Sequence, residues 1–97
     1  MYTSIRRYNL KPDSTEEVIR RAEKGFVPIV SKAQGFLAYD VVNTGHNTVT
    51  TISTFEDRVG AEQSNKLAEG WDRDNLASLV TEPPMIMGGE TGIHKAK

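Results

Sequence analysis

Hydrophobic positions along the chain change period in a fixed order: two, helical, two, two, helical, two. Residues 2–10 alternate, with Tyr2, Tyr8 and Leu10 on one parity and Thr3, Ile5 and Arg7 on the other, as a strand requires. Lys11-Pro12-Asp13-Ser14 closes that strand and opens a helix. Ser14 is the expected N-cap, with Glu17 three positions on completing a capping box. Val18, Ile19, Ala22, Phe26, Ile29, Val30 and Ala33 then form an apolar stripe at three- and four-residue steps. Gly25 and Pro28 interrupt it, which predicts a kink near Gly25 or a second short helical piece from Val27.

After Gln34-Gly35, residues 36–42 read as a second strand, Asn43-Thr44-Gly45-His46-Asn47 as a hairpin loop, and residues 48–55 as the returning antiparallel strand. Asp57 can cap a second helix whose apolar face is Val59, Ala61, Leu67, Ala68, Trp71, Leu76, Leu79 and Val80. Outward i,i+4 pairs are expected from Glu16 to Arg20, Glu17 to Arg21, Glu62 to Lys66 and Glu69 to Arg73. Pro83-Pro84 makes a stiff connector to a last strand over 85–94, where Gly88-Gly89 suggests a bulge or a close backbone crossing. This order predicts one α+β domain over residues 1–97: a four-stranded antiparallel sheet with two helices on one face. The other face keeps apolar side chains that call for cover, so a homodimer through the open sheet face is expected.

Composition narrows the partners. A formal charge of −1 leaves no basic field to hold nucleic acid or an anionic membrane. The third strand also lacks the stacking aromatics of an RNA-binding sheet until Phe55. Without cysteine there is no disulfide, thiolate metal site or thiol nucleophile. No signal-peptide pattern or long apolar run occurs, so a cytoplasmic location is expected.

Trp71, on the apolar stripe, is either packed core or a wall on which a flat ligand stacks, and Gly70 beside it could leave room for that ligand. Tyr39 and Asp40 point to opposite faces of their strand. If Tyr39 faces the helices its hydroxyl needs a partner or a ligand; otherwise it packs in a subunit interface. One of Arg6 and Arg7 must point inward or into a subunit interface; an inward arginine needs a carboxylate or a bound anion, and an ion pair with Glu90 or Asp40 is expected. Asn65 could turn its amide toward a pocket near Trp71. His46 falls in the hairpin loop, and His94 at the end of the last strand could reach a pocket or a second subunit. The spacing of these two histidines makes no metal site. Ser14, Ser53 and Ser64 lie in no nucleophile elbow.

The strand Tyr2 to Tyr8, Phe26-Val27-Pro28-Ile29, Gln34-Gly35-Phe36 leading to Tyr39, the strand end Phe55-Glu56 and Trp71 together resemble the antibiotic biosynthesis monooxygenase family. The resemblance implies a ferredoxin-like βαββαβ protomer, two of which appose their sheets in a dimeric α+β barrel. Each protomer keeps a small pocket between its own sheet and helices. It further implies a cofactor-independent monooxygenase acting on an aromatic or quinol-like molecule, with no metal. Tyr39, Trp71 and His94 are the candidates for orienting and hydrogen-bonding the ligand. Heme-degrading members carry a second-helix histidine ten residues after a tryptophan; Ser64 and Asp74 stand at those positions here, so that activity is not expected. The alternative is a non-catalytic dimeric module that binds a small ligand or only assembles.

Overall fold

The computed structural model describes residues Met1–Lys97. Four strands, β1 (Tyr2–Asn9), β2 (Phe36–Gly45), β3 (Thr48–Phe55) and β4 (Met85–Glu90), join in one antiparallel sheet of order β2-β3-β1-β4. The helical segments α1 (Thr15–Arg21), α2 (Val27–Val30) and α3 (Arg58–Asn75) complete a ferredoxin-like βαββαβ order, with α1 joined to α2 by a π-helical turn over Ala22–Phe26. That turn is the interruption Gly25 and Pro28 announce. Pro28 lacks an N–H, so an early position of a fresh helical piece suits it.

Directly opposed residues share a face of a sheet, so the register defines the floor beneath the helices. Two inward rows run across it: Tyr39, Ser53, Ser4 and Gly88, then Val41, Thr51, Arg6 and Ile86. The two central strands therefore place the polar residues Ser53, Ser4, Thr51 and Arg6 in the middle of the sheet, with Tyr39 and Val41 on one side and Gly88 and Ile86 on the other. Two hydrophobic clusters form around this polar middle. One holds Tyr8, Leu10, Val18, Val49 and Leu76, the other Phe26, Val30, Phe55, Ala61 and Ala68.

α3 approaches the sheet through small residues, Gly60, Ala61, Ser64 and Ala68, rather than the larger apolar stripe expected of it. Val59 and Leu67 lie outside, 62% and 45% exposed, and Leu76 reaches the core just past the helix end. A Cβ on Gly60 would stand 2.7 Å from the Gln34 carbonyl oxygen, so a glycine is what lets this helix start so close to the loop between α2 and β2. Asp57 caps it, accepting the Gly60 N–H at 3.0 Å.

Several local expectations are corrected. Ser14 makes no capping bond: its backbone is already helical, at φ −100° and ψ −7°, where an N-cap is extended, and the Glu17 side chain pairs with Arg20 and Arg21. Arg58 pairs with Glu62, taking the carboxylate expected to face Lys66. β2 runs on to Gly45, leaving a two-residue turn at His46-Asn47 with both φ values positive, the hairpin geometry that matches strand twist. A register shift at Leu37 marks a bulge in β2, whereas Gly88 and Gly89 keep regular pairing with β1. Gly88 serves instead for close approach, since a Cβ there would meet Thr3 O and the Tyr2 ring at 3.2 Å. β4 ends at Glu90, opposite Tyr2, and just beyond it the Thr91 N–H donates to the Met1 carbonyl at 2.9 Å. No helix is long and apolar enough to cross a membrane.

Candidate functional site

Arg6 and Tyr8 both lie on the inward parity of β1, and Asp72 lies on α3, where Asn65, Ala68 and Asp72 follow one another at helical steps. The three polar side chains meet between the layers. Arg6 Nε donates to the Tyr8 oxygen at 3.0 Å, and Arg6 Nη2 donates to Asp72 Oδ2 at 3.0 Å. The Tyr8 hydroxyl donates to the same Oδ2 at 2.7 Å. Arg6 is 5% exposed, so the guanidinium is held in low dielectric and needs this carboxylate. The expected partners do not reach it: Glu90 faces the N-terminal ammonium at 3.6 Å, Asp40 is exposed, and Arg7 is the outward arginine.

The protonation states follow from burial and neighbours. Burial opposes the Arg6 charge, but Tyr8 and Asp72 outweigh it and the guanidinium ends above its ordinary value. Burial and then the Asp72 charge push the Tyr8 hydroxyl up, so Tyr8 stays a protonated donor. The same two causes raise the Tyr39 hydroxyl to about 12. Asp72 itself is raised by burial, against the pull of Tyr8 and Arg6.

Aromatic rings close the space above the polar floor. Phe26 stands at the centre, its ring 5.6 Å from Tyr39 in an edge-on contact and 5.5 Å from Trp71 in a tilted one. Room for the indole comes from Gly25 in the π-helical turn, where a Cβ would sit 2.9 Å from Trp71 Cζ2. Gly70, the expected source of that room, meets only Arg73 at 3.8 Å. Ser4 Oγ donates to Asn65 Oδ1 at 3.1 Å, which ties α3 to β1 beside the same space.

What remains is a narrow, largely apolar cavity with about 20 Å³ of room for the centre of a water molecule, lined by Arg6, Tyr8, Phe26, Tyr39, Trp71 and Asp72 among others. Beyond Arg6 and Asp72 lies an open groove of about 430 Å³ on the same measure, walled by Val80, Thr81, Glu82, Pro83 and Pro84. Arg6 and Asp72 line both spaces and so form the partition between them.

Of the residues expected from sequence, Tyr39, Trp71 and Asn65 come together at the cavity. His94 does not: it is exposed in the tail beyond β4, and His46 is exposed at the hairpin tip. Ser64 is buried with its hydroxyl returned to the Ala61 carbonyl, and Asp74 is exposed beside Arg73. Nowhere do three or more histidine, aspartate or glutamate side chains cluster as a metal would need. The polar heart of the site, Tyr8 with Asp72, was missed. Arg6 on the same parity as Tyr2 and Tyr8 was the available signal, whereas nothing in the sequence pairs β1 with residue 72.

A four-stranded sheet with helices on one face and a cavity between the layers defines a ferredoxin-like protomer with an internal site. The sequence profile of the family described as "Antibiotic biosynthesis monooxygenase" matches residues 1–69, and the chain belongs to that family. No curated protein matches it in sequence. Among solved structures it is similar to a protein of unknown function from Nitrosomonas europaea, with 21% identity, a TM-score of 0.80, and coverage of 99% of this chain and 93% of that one. It is also similar to a monooxygenase from the gene ActVA-Orf6 of Streptomyces coelicolor, in complex with the ligand Nanaomycin D. There the identity is 19%, the TM-score 0.71, and coverage 98% and 92%. At these identities the likeness concerns the fold.

Proposed function

We propose that this protein is a small cofactor-independent monooxygenase acting on an aromatic or quinol-like molecule. Family membership supports the class, and the S. coelicolor monooxygenase gives an example of a ligand held on the same fold. The observation that carries the reading is the buried Arg6–Tyr8–Asp72 cluster, set between an aromatic-lined cavity and a groove of ligand size. In such a reaction the substrate is its own reductant. It loses two hydrogens and gains one oxygen atom from dioxygen, and the other oxygen leaves as water. The protein's part is to hold the ring, exclude water and stabilise the oxyanion that reacts with dioxygen. The cavity admits only a water-sized occupant, so a ring lies in the groove, against Arg6 and Asp72. Tyr39 and Trp71 act from behind this partition, as the packed wall that keeps Arg6 in place. His94 has no part.

The protein is further proposed to work as a homodimer through the open sheet face. Ile5, Ile52 and Met87 lie in one row across that face, and Met85 and Val42 extend it at 53% and 40% exposure. The small volume of the inner cavity favours a second reading, a non-catalytic module that binds its ligand in the groove.

Oxygen uptake measured with a panel of quinols and phenols separates the two. Consumption that is lost in Arg6→Lys supports the oxygenase. No consumption, together with ligand-induced rises in Tm, leaves the binding module. Sedimentation of the wild type and of Ile52→Glu tests the interface; a wild type that is monomeric at micromolar concentration overturns it.

A further inference from the structure

The open face of the sheet carries one cation and one anion, and neither has a partner in its own chain. Three rows of opposed residues cross all four strands on that face, and Arg7 and Asp40 are their only charged members. Asp40 stands at the β2 edge, ending the row of Ile52, Ile5 and Met87. Arg7 lies in the next row, between Thr50 and Met85. Both residues are exposed, and neither enters any of the ion pairs the protomer makes. Strands about 4.8 Å apart and a rise of about 3.4 Å per residue put their Cα positions about 12 Å apart, which keeps the charges separate within one chain. A basic or an acidic partner would satisfy one of them and repel the other. A second copy of the chain, turned about a two-fold axis, satisfies both, because an isologous contact occurs twice.

We infer that Arg7 pairs with the partner's Asp40 across the open face, twice per dimer, and that these pairs select the register in which the two sheets stack. The inference rests on the homodimer proposed above and assigns the residues that fix its geometry. The axis that brings Arg7 onto the partner's Asp40 bisects the line between the two positions. It therefore runs over β3 between Thr50 and Ile52, inclined by about 35° to the strands, so that the strands of the two sheets cross at about 70°. That is nearer the orthogonal class of sheet packing than the aligned one. Each pair then lies where the edge strand of one sheet passes over β1 of the other, at the rim of the contact. Opposite charges at a rim add little affinity, whereas like charges brought together there cost far more. Neutralising either residue is mild for that reason, and reversing its sign is not.

The test is sedimentation over a concentration series, with the intact chain and two single reversals, Arg7→Asp and Asp40→Arg. Each reversal sets like charges opposite one another twice, and is expected to weaken the dimer about 100-fold at low salt and less at high salt. An equimolar mixture of the two variants is expected to recover wild-type affinity as a heterodimer. One of its contacts has the native signs and the other has both signs exchanged. Variants that had merely failed to fold could not recover on mixing. Because the chain has no cysteine, Thr50→Cys adds a single thiol close to the axis, and it is expected to link the two copies through a short bis-maleimide. A monomeric wild type overturns the homodimer and the pair together. A dimeric wild type whose reversals dimerise as tightly, or whose mixed reversals show no recovery, overturns the pair alone. So does a dimer that Thr50→Cys fails to cross-link.

Discussion

Two glycines flank the indole of Trp71, and replacing each by alanine should have opposite effects. Gly70 lies inside α3, where a Cβ would meet nothing closer than Arg73 Nη2 at 3.8 Å. Alanine there gains about 1 kcal/mol of helix propensity without a steric penalty. Gly25, in the π-helical turn, makes the same kind of gain but puts its Cβ 2.9 Å from Trp71 Cζ2, 3.0 Å from Nε1 and 3.2 Å from Cε2. Those three atoms belong to one rigid ring already in contact with Phe26, so no single bond rotation clears them all. The ring must move as a body. Overpacking of this kind costs about 1–3 kcal/mol. Because the propensity gains cancel between the two variants, their difference in stability isolates the clash at about 1–3 kcal/mol. For a domain of this size that corresponds to a Tm gap of about 5–20 °C, with Gly25→Ala the lower. Urea and thermal unfolding at one protein concentration measure the difference. Trp71 is the only tryptophan, so its emission should shift in Gly25→Ala and stay unchanged in Gly70→Ala. Equal stabilities, or an emission shift in Gly70→Ala alone, would refute the assignment of Gly25 as the residue that seats the indole.

Other perturbations probe the packing and the polar cluster. Gly60→Ala should destabilise by at least about 2 kcal/mol, because its Cβ would meet the Gln34 carbonyl, a backbone atom that cannot rotate away; urea unfolding reads this directly. Arg6→Ala should cost about 3–5 kcal/mol by stranding Asp72, whereas Arg7→Ala on the exposed parity should stay within about 0.5 kcal/mol of wild type. The pH dependence of stability tests Asp72. Its carboxyl is raised by burial, so its protonated form favours the folded state. That contribution is complete below the ordinary value of 3.8 and is lost as pH rises through the folded value. Unfolding from about pH 4 upward should show wild type losing stability relative to Asp72→Asn; a relative gain would mean that pairing with Arg6 outweighs burial.

Much of the architecture was legible in the order of hydrophobic periods. Alternation in residues 2–10 and 48–55, the helical stripes between them, and the Gly25 and Pro28 interruption are local patterns that the backbone obeys wherever the chain packs. The Asp57 cap was legible for the same reason, since donor and acceptor lie three residues apart. Misreadings arose where another contact or conformation displaced the expected one. Ser14 forms no capping box because its backbone is already helical and the Glu17 side chain is held by two arginines one turn on. The face that α3 buries is set by how near Gly60 lets it come to the sheet, which the large apolar side chains on its outer side do not reveal.

The sequence by itself determined that one of two adjacent arginines on β1 would face inward or into a subunit interface, and that an inward one would need an anion. It also placed Tyr39 and Trp71 on elements that could share a wall. Only the tertiary structure decided that the anion is Asp72, 66 residues away, and that Tyr8 completes the cluster. The physical reason is one of range. Periodicity and capping are settled within a few residues, while a buried charge is neutralised by whichever group the packing of helix on sheet brings within hydrogen-bonding distance. That depends on helix position and rotation, which the whole core sets together.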